Sequence, residues 1–203
     1  RNGESRVLMD WPDRPDGEPV RDGKTYCELV HLARNGRPFV AIGRFLRERC
    51  GLATPQVYNM DLDQGFLLVE DFGDDVFQVL APRGVDLRPL YRLAVDGLVA
   101  LGDCPQSPEI EARNGAGFRL AEYSPSVMQD EMNLLLHWYV RFMGGEDVPR
   151  SVEAEFQSLW APHLEWLQNY PRQIVLRDYH SPNLILRPEG KGLSRLGVID
   201  FGA

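Results

Sequence analysis

The sequence predicts an α+β protein in two lobes, a strand-rich N-terminal part followed by a mainly helical C-terminal part. Three observations predict it. Short apolar runs separated by turn residues flank one amphipathic helix in the first 72 residues. Helical apolar spacing dominates from residue 87 to residue 169. Short apolar runs return near the C-terminal end, and each gives way to polar residues. With 203 residues, 43% of them hydrophobic and 26% charged, the chain can bury a core and does not read as disordered.

The elements follow in order. Residues 5–9, Ser-Arg-Val-Leu-Met, read as a strand, and Asn2-Gly3 before it is a hairpin-turn signal that points to an earlier partner strand. Residues 10–26, with Pro12, Pro19 and several Asp and Gly, read as a loop. Residues 38–50 read as a helix: Pro38 suits its first turn, Phe39, Ile42, Phe45 and Leu46 share a face, and Gly51 stops it. A hairpin follows, with strands at 56–60 and 66–70 about a turn at 61–65. The unbroken run Phe66-Leu67-Leu68-Val69 predicts a strand covered on both faces. Gly73-Asp74-Asp75 breaks the pattern and sets the lobe boundary, with an N-terminal lobe at 1–72 and a C-terminal lobe at 73–203. Helices are predicted over 87–101, over 125–143 with Ser124 as cap, and over 151–169, with a loop at 103–117. Strands are predicted at 173–176, 184–186 and 196–199.

Charge narrows the function. Against 22 Lys and Arg stand 30 Asp and Glu, a net charge of −8, which disfavours phosphate backbones and anionic lipid as partners. No apolar run approaches the roughly 18 residues that span a bilayer, and no signal-peptide pattern opens the chain. Cys27, Cys50 and Cys104 are odd in number and lack zinc-ligand spacing, so they read as thiols in a reducing cytoplasm. Arg1 at the start and Asp200-Phe201-Gly202-Ala203 at the end read as the limits of a piece of a longer chain. Gly23-Lys24-Thr25 looks like the end of a phosphate-binding loop, but Gly17 and Gly23 enclose five residues where that motif needs four, so a surface turn is the better reading.

The informative segment is Val175-Leu176-Arg177-Asp178-Tyr179-His180-Ser181-Pro182-Asn183-Leu184-Ile185. By itself an Asp followed by His, Ser, Pro and Asn is an ordinary turn. Seventeen residues after Asn183, however, comes Asp200, inside Val198-Ile199-Asp200-Phe201-Gly202. If the two strand ends lie side by side, Asp178, Asn183 and Asp200 converge. Phosphoryl transfer needs such a set: a carboxylate to orient an attacking hydroxyl, and hard oxygen ligands for Mg²⁺.

The spacing D-x-x-x-x-N followed by D-F-G resembles the catalytic and metal loops of the protein-kinase-like fold. The helical context is similar to the aminoglycoside phosphotransferase and choline kinase superfamily. Within it, Val7-Leu8-Met9-Asp10, Gly65-Phe66-Leu67-Leu68-Val69-Glu70-Asp71-Phe72-Gly73, Asp130-Glu131-Met132-Asn133-Leu134-Leu135, Trp138-Tyr139 and the loop at 177–183 resemble the bacterial anomeric sugar kinases of N-acetylmuramate and N-acetylglucosamine. The resemblance implies a two-lobed kinase that uses ATP and Mg²⁺ on a small sugar. It makes Asp178 the base, Asn183 and Asp200 the Mg²⁺ ligands, and Glu70, Asp71 and Phe72 the hinge whose backbone meets adenine. Glu131 is its candidate for the sugar side; His180, in the loop itself, is a further candidate there as an acid or base, although it also reads as a residue that shapes its turn.

The sequence departs from the superfamily in two places: Leu176 stands where His is frequent, and the strand at 7–10 carries no Lys to hold phosphates. Two rival readings follow. The same chemistry could serve an aminoglycoside or a choline-like alcohol, or the chain could be a non-catalytic nucleotide-binding module that accompanies another protein, such as a tRNA-modification ATPase. His31, His137 and His163 have no ligand-spaced partners, and Trp138, Trp160 and Trp166 read as core or rim residues.

Overall fold

The computed structural model describes residues 5–13, 17–105, 107–111 and 117–201. The Asn2-Gly3 turn signal and Gly202 lie outside the described residues. The chain folds as a mixture of helices and small antiparallel sheets. It divides into two compact units. The first comprises Arg1–Pro15, Ala33–Leu120 and Gln173–Ala203; the second comprises Asp16–Leu32 and Ala121–Arg172.

The first unit begins with a three-stranded sheet. Strand β1 (Arg6–Asp10) and strand β2 (Val57–Asp61) both pair antiparallel with the central strand β3 (Phe66–Glu70). The turn at 61–65 works because Gly65 adopts φ +80° and its position leaves no room for a Cβ, which would stand 2.4 Å from the Trp11 carbonyl oxygen. The apolar run in β3 is covered on one face rather than on both: Leu67 and Val69 are buried, Leu68 is half-buried and Phe66 is exposed. Adjacent strand residues point to opposite faces, so Phe66 and Leu68 share the second face, which stays partly open to solvent, as single apolar surface residues often do.

Helix α2 (Arg37–Arg49) lies where its apolar face predicts it, with Phe39, Ile42, Phe45 and Leu46 buried. Pro38 sits in its first turn, and Gly51, at φ +71°, follows its end. Helix α3 (Phe77–Leu80) and helix α4 (Leu87–Asp103) follow. The Asp86 carboxylate caps α4 through the Arg88 N–H at 3.0 Å. Its core-facing residues are Leu90, Ala94, Gly97 and Leu101, while Leu98 is exposed. The segment expected as a loop at 103–117 instead contributes a hairpin of β4 (Glu109–Glu111) and β5 (Gly117–Arg119), with Ile110 buried. Residues 173–176 form no strand; they run as irregular chain into the loop that follows. Strands β6 (Leu184–Leu186) and β7 (Leu196–Val198) pair antiparallel, Leu184 opposite Val198.

In the second unit, helix α1 (Tyr26–Leu29) carries a reciprocal capping box between Thr25 and Glu28. Before it, Arg21 and Lys24 close a turn with Gly23 at φ +73°, so the phosphate-loop lookalike is a turn. Helix α5 (Pro125–Leu134) starts at Ser124, whose hydroxyl accepts the Val127 N–H at 3.4 Å. The helix expected to continue unbroken to 143 loosens into a π-helical stretch (Leu135–Val140) and then resumes as α6 (Arg141–Gly144). Helix α7 (Arg150–Leu167) follows, and Trp138, Trp160 and Trp166 are exposed rather than core. His137 meets Glu153 at 3.2 Å. Arg21 forks onto Asp130, with one N–H···O contact of 2.7 Å, and this pairing holds the guanidinium above its ordinary pKa. Among the described residues, no helix is long and apolar enough to cross a membrane.

Candidate active site

The polar loop before β6 and the chain after β7 emerge at the same end of one hairpin. The register brings this about. Leu184 faces Val198, and the pairing extends one step further through the Ile199 N–H to the Asn183 carbonyl, 3.0 Å. Asn183 therefore sits one residue before β6 and Asp200 two residues after β7. The Asn183 side-chain amide donates to the Asp178 main-chain carbonyl at 3.0 Å and to the Asp200 carboxylate at 3.4 Å. One amide thus joins the loop of Asp178 to the segment of Asp200.

The loop is fixed from within. The Tyr179 N–H reaches the Arg177 carbonyl at 2.9 Å, His180 N–H the Asp178 carbonyl at 3.0 Å, and Asn183 N–H the His180 carbonyl at 2.9 Å. His180 therefore shapes the turn through its main chain, and its side chain is exposed. Arg177 and Asp200 both adopt φ +54°, a left-handed conformation that is strained for a residue with a Cβ. These two residues bound the site on each loop. Asp178 and Asp200 are exposed and Asn183 is half-buried, so the polar ends meet solvent.

The loop is also pinned from below. The Tyr179 hydroxyl donates to the Ala94 carbonyl of α4 at 2.7 Å, and burial pushes its pKa up to about 12. Gly97 makes this approach possible: a Cβ there would stand 2.9 Å from that hydroxyl and 2.6 Å from Leu196 Cδ2. Phe201 stacks on Phe39 with centroids 5.0 Å apart, over Gly43, whose Cβ would stand 2.9 Å from the ring. Asp200 is consequently followed by a buried anchor. The sequence reading did not find Tyr179, Gly97, Gly43 or the Phe201–Phe39 stack as supports. The available signal was small: two glycines on the buried faces of otherwise good helices.

The segment of Glu70, Asp71 and Phe72 ends β3 within the same unit. Among the described residues, the main-chain N–H and C=O groups of Asp71 and Phe72 take no hydrogen-bond partner, so they can meet a planar heterocycle. The Asp71 carboxylate turns back onto the Gly73 N–H at 2.8 Å, and this bond, with one from Ser5, holds its pKa below the usual carboxylate value. The Glu70 carboxylate is engaged by Arg187 at 3.0 Å and by the Gln56 N–H at 3.2 Å. Glu131 belongs to the second unit, where the Tyr123 hydroxyl donates to it.

The donor set suits a hard cation. Asn183 spends its N–H groups on Asp178 and Asp200, which leaves its amide oxygen as a donor beside the Asp200 carboxylate. Among the described residues, no group of three His, Cys, Asp or Glu forms a metal cluster. One carboxylate and one amide oxygen suit Mg²⁺, which takes few protein ligands and fills its octahedron from water and phosphate.

The family model described as "Phosphotransferase enzyme family" matches residues 6–203. The chain belongs to the phosphotransferase enzyme family. It is 32% identical to an N-acetylmuramate/N-acetylglucosamine kinase of Caulobacter vibrioides over 99% of this chain and 57% of that protein. To proteins of the same name it is 32% identical in Pseudomonas aeruginosa, over 81% of this chain and 44% of that one, and 26% identical in Pseudomonas putida, over 82% and 44%. This phosphotransferase-family chain thus spans about half the length of the curated relatives it matches.

Proposed function

We propose that the protein is an ATP-dependent kinase of two-lobed, protein-kinase-like architecture. Its acceptor is the anomeric hydroxyl of N-acetylmuramate or N-acetylglucosamine. The observation that carries this reading is the Asn183 amide, which ties the Asp178 loop to Asp200 at one end of the β6–β7 hairpin. Asp178 accepts the proton of the attacking hydroxyl. An anomeric hydroxyl is more acidic than an ordinary alcohol, so one exposed carboxylate is an adequate base. Asn183 and Asp200 hold Mg²⁺, which neutralises charge on the phosphates. The backbone of Glu70, Asp71 and Phe72 receives adenine, with residues 1–72 forming the nucleotide lobe and 73–203 the helical lobe. Glu131 and His180 are the candidates for contacts to the sugar. The relatives' names support the acceptor, and the family supports the chemistry.

The test is to incubate the full-length protein with Mg-ATP and each amino sugar and to follow sugar 1-phosphate by phosphorus NMR. Turnover is expected with wild type. Asp178→Asn is expected to lower kcat by at least about 10³-fold, in line with the loss of a general base, while Mg-ADP binding is kept. Turnover only with an aminoglycoside or choline would move the acceptor, and nucleotide binding without turnover on any alcohol would make the protein a binding module. Retained kcat in Asp178→Asn would remove Asp178 from its role.

A further inference from the structure

The Arg187 side chain makes contacts that the loop chemistry does not use. Arg187 follows β6 directly, and its N–H donates to the Arg195 carbonyl at 2.8 Å, which extends the β6–β7 pairing towards the turn. Its guanidinium stays on the connecting turn through the Ser194 carbonyl at 3.4 Å and Glu189 at 3.8 Å, and also reaches beyond the hairpin. One N–H reaches Glu70 Oε1 at 3.0 Å, and the guanidinium carbon lies 4.3 Å from the Phe72 ring centroid. Both charged side chains are largely covered, at 20% and 27% exposure, so solvent screens this pair less than a surface pair. Phe72 lies in turn against Gly197 of β7, where a Cβ would stand 2.7 Å from the ring. The Leu186 N–H also donates to the Asp75 carbonyl at 2.8 Å. Residues 70–75 are therefore clamped along the hairpin that carries Asn183 and Asp200 together at one end.

We propose that Arg187 is a positioning residue that locks the adenine-binding segment to the metal-binding hairpin, so that base and phosphates of one nucleotide are held in fixed register. The proposal rests on the nucleotide reading given above. Arginine is the residue for this task because its planar fork binds a carboxylate while its face stacks on an aromatic ring. A lysine supplies the charge without the fork or the stack. A nucleotide held at two ends by one rigid block loses less freedom on binding than one held by two independent segments.

The test measures Mg-ADP binding calorimetrically on the full-length protein and steady-state kinetics in both substrates. In Arg187→Met, Mg-ADP is expected to bind about tenfold more weakly (about 1.4 kcal/mol) and KM for ATP to rise in step, with KM for the sugar unchanged. Arg187→Lys is expected to recover only part of the loss. Glu70→Gln should weaken binding in the same direction, and the double variant with Arg187→Met should be no worse than Arg187→Met alone. Unchanged Mg-ADP affinity in Arg187→Met, or additive losses in the double variant, would overturn the proposal, as would full recovery by lysine. Should Arg187→Met fail to fold, Arg187→Lys and Glu70→Gln decide on the same criteria. A wild-type protein that binds no Mg-ADP would instead overturn the nucleotide reading itself.

Discussion

Tyr179 shows how a residue between two candidate site residues can act through its anchor alone. Its hydroxyl bonds the Ala94 carbonyl, and that oxygen already accepts within α4, so removing the hydroxyl strands no acceptor. Tyr179→Phe should therefore cost only about 1 kcal/mol. Its pH signature is more specific. In an unfolded chain the phenol ionises near 10, whereas the folded protein keeps the proton to about 12 because burial disfavours the phenolate. Between those values the folded state binds more protons, so the contribution to stability is whole below pH 10 and is lost as pH rises to 12. The Cys50 thiol, moved from 9.0 to about 12 by burial and by its contact with Cys104, acts with the same sign. The tyrosine is therefore read as a difference: urea unfolding from pH 9 to 12 should show a shallower decline for Tyr179→Phe than for wild type. Parallel declines would show that this phenol is not the group responsible.

Helix α4 carries the argument at the level of elements. Alanine is a better helix former than glycine by about 1 kcal/mol, so Gly→Ala inside a helix ordinarily stabilises. At Gly102 the added Cβ meets only the Gln173 side chain at 3.5 Å, an ordinary contact, and Gly102→Ala should gain about 0.5–1 kcal/mol. At Gly97 the same methyl would lie 2.6 Å from Leu196 and 2.9 Å from the Tyr179 hydroxyl. Overpacking there costs about 1–3 kcal/mol, so Gly97→Ala should be net destabilising by denaturant titration, and its kcat should fall as the Asp178 loop is displaced. A stabilised and fully active Gly97→Ala would refute the close approach. These elements also show what local pattern reveals. Helix α2 was legible because its apolar face, its Pro38 and its Gly51 agree. The β4–β5 hairpin was not, since three-residue strands in a Pro- and Gly-bearing stretch carry no periodicity. The π-helical stretch of Leu135–Val140 keeps helical composition while changing its hydrogen bonds, and no spacing rule separates the two.

For the whole molecule, the candidate site was legible where its supporting scaffold was not. Asp178, Asn183 and Asp200 stand out because their residue types and intervals match a reaction, whereas Arg187, Phe72 and Gly197 meet only through the fold. The compact units interleave along the chain, and Arg21 binds Asp130 across 109 positions, a distance at which no sequence window reports. All the candidate nucleotide and metal groups nevertheless fall in one unit, made of three separate segments. A ligand bound there must draw its stabilisation from the folded state of that unit, because no one segment of the unfolded chain contains the set. At a concentration about 100 times its Kd, a ligand adds roughly 2.7 kcal/mol. For a protein of this size, each kcal/mol moves Tm by about 2–4 °C. Mg-ADP should therefore raise Tm by about 5–10 °C in the full-length protein. ADP with EDTA at the same concentration should raise it far less, because under the proposed function Asn183 and Asp200 would reach the phosphates only through the cation. Asp200→Ala should erase the difference between the two conditions while keeping the smaller shift due to the base. An equal shift with and without Mg²⁺ in wild type would mean that the two loops joined by the Asn183 amide hold no metal for the nucleotide.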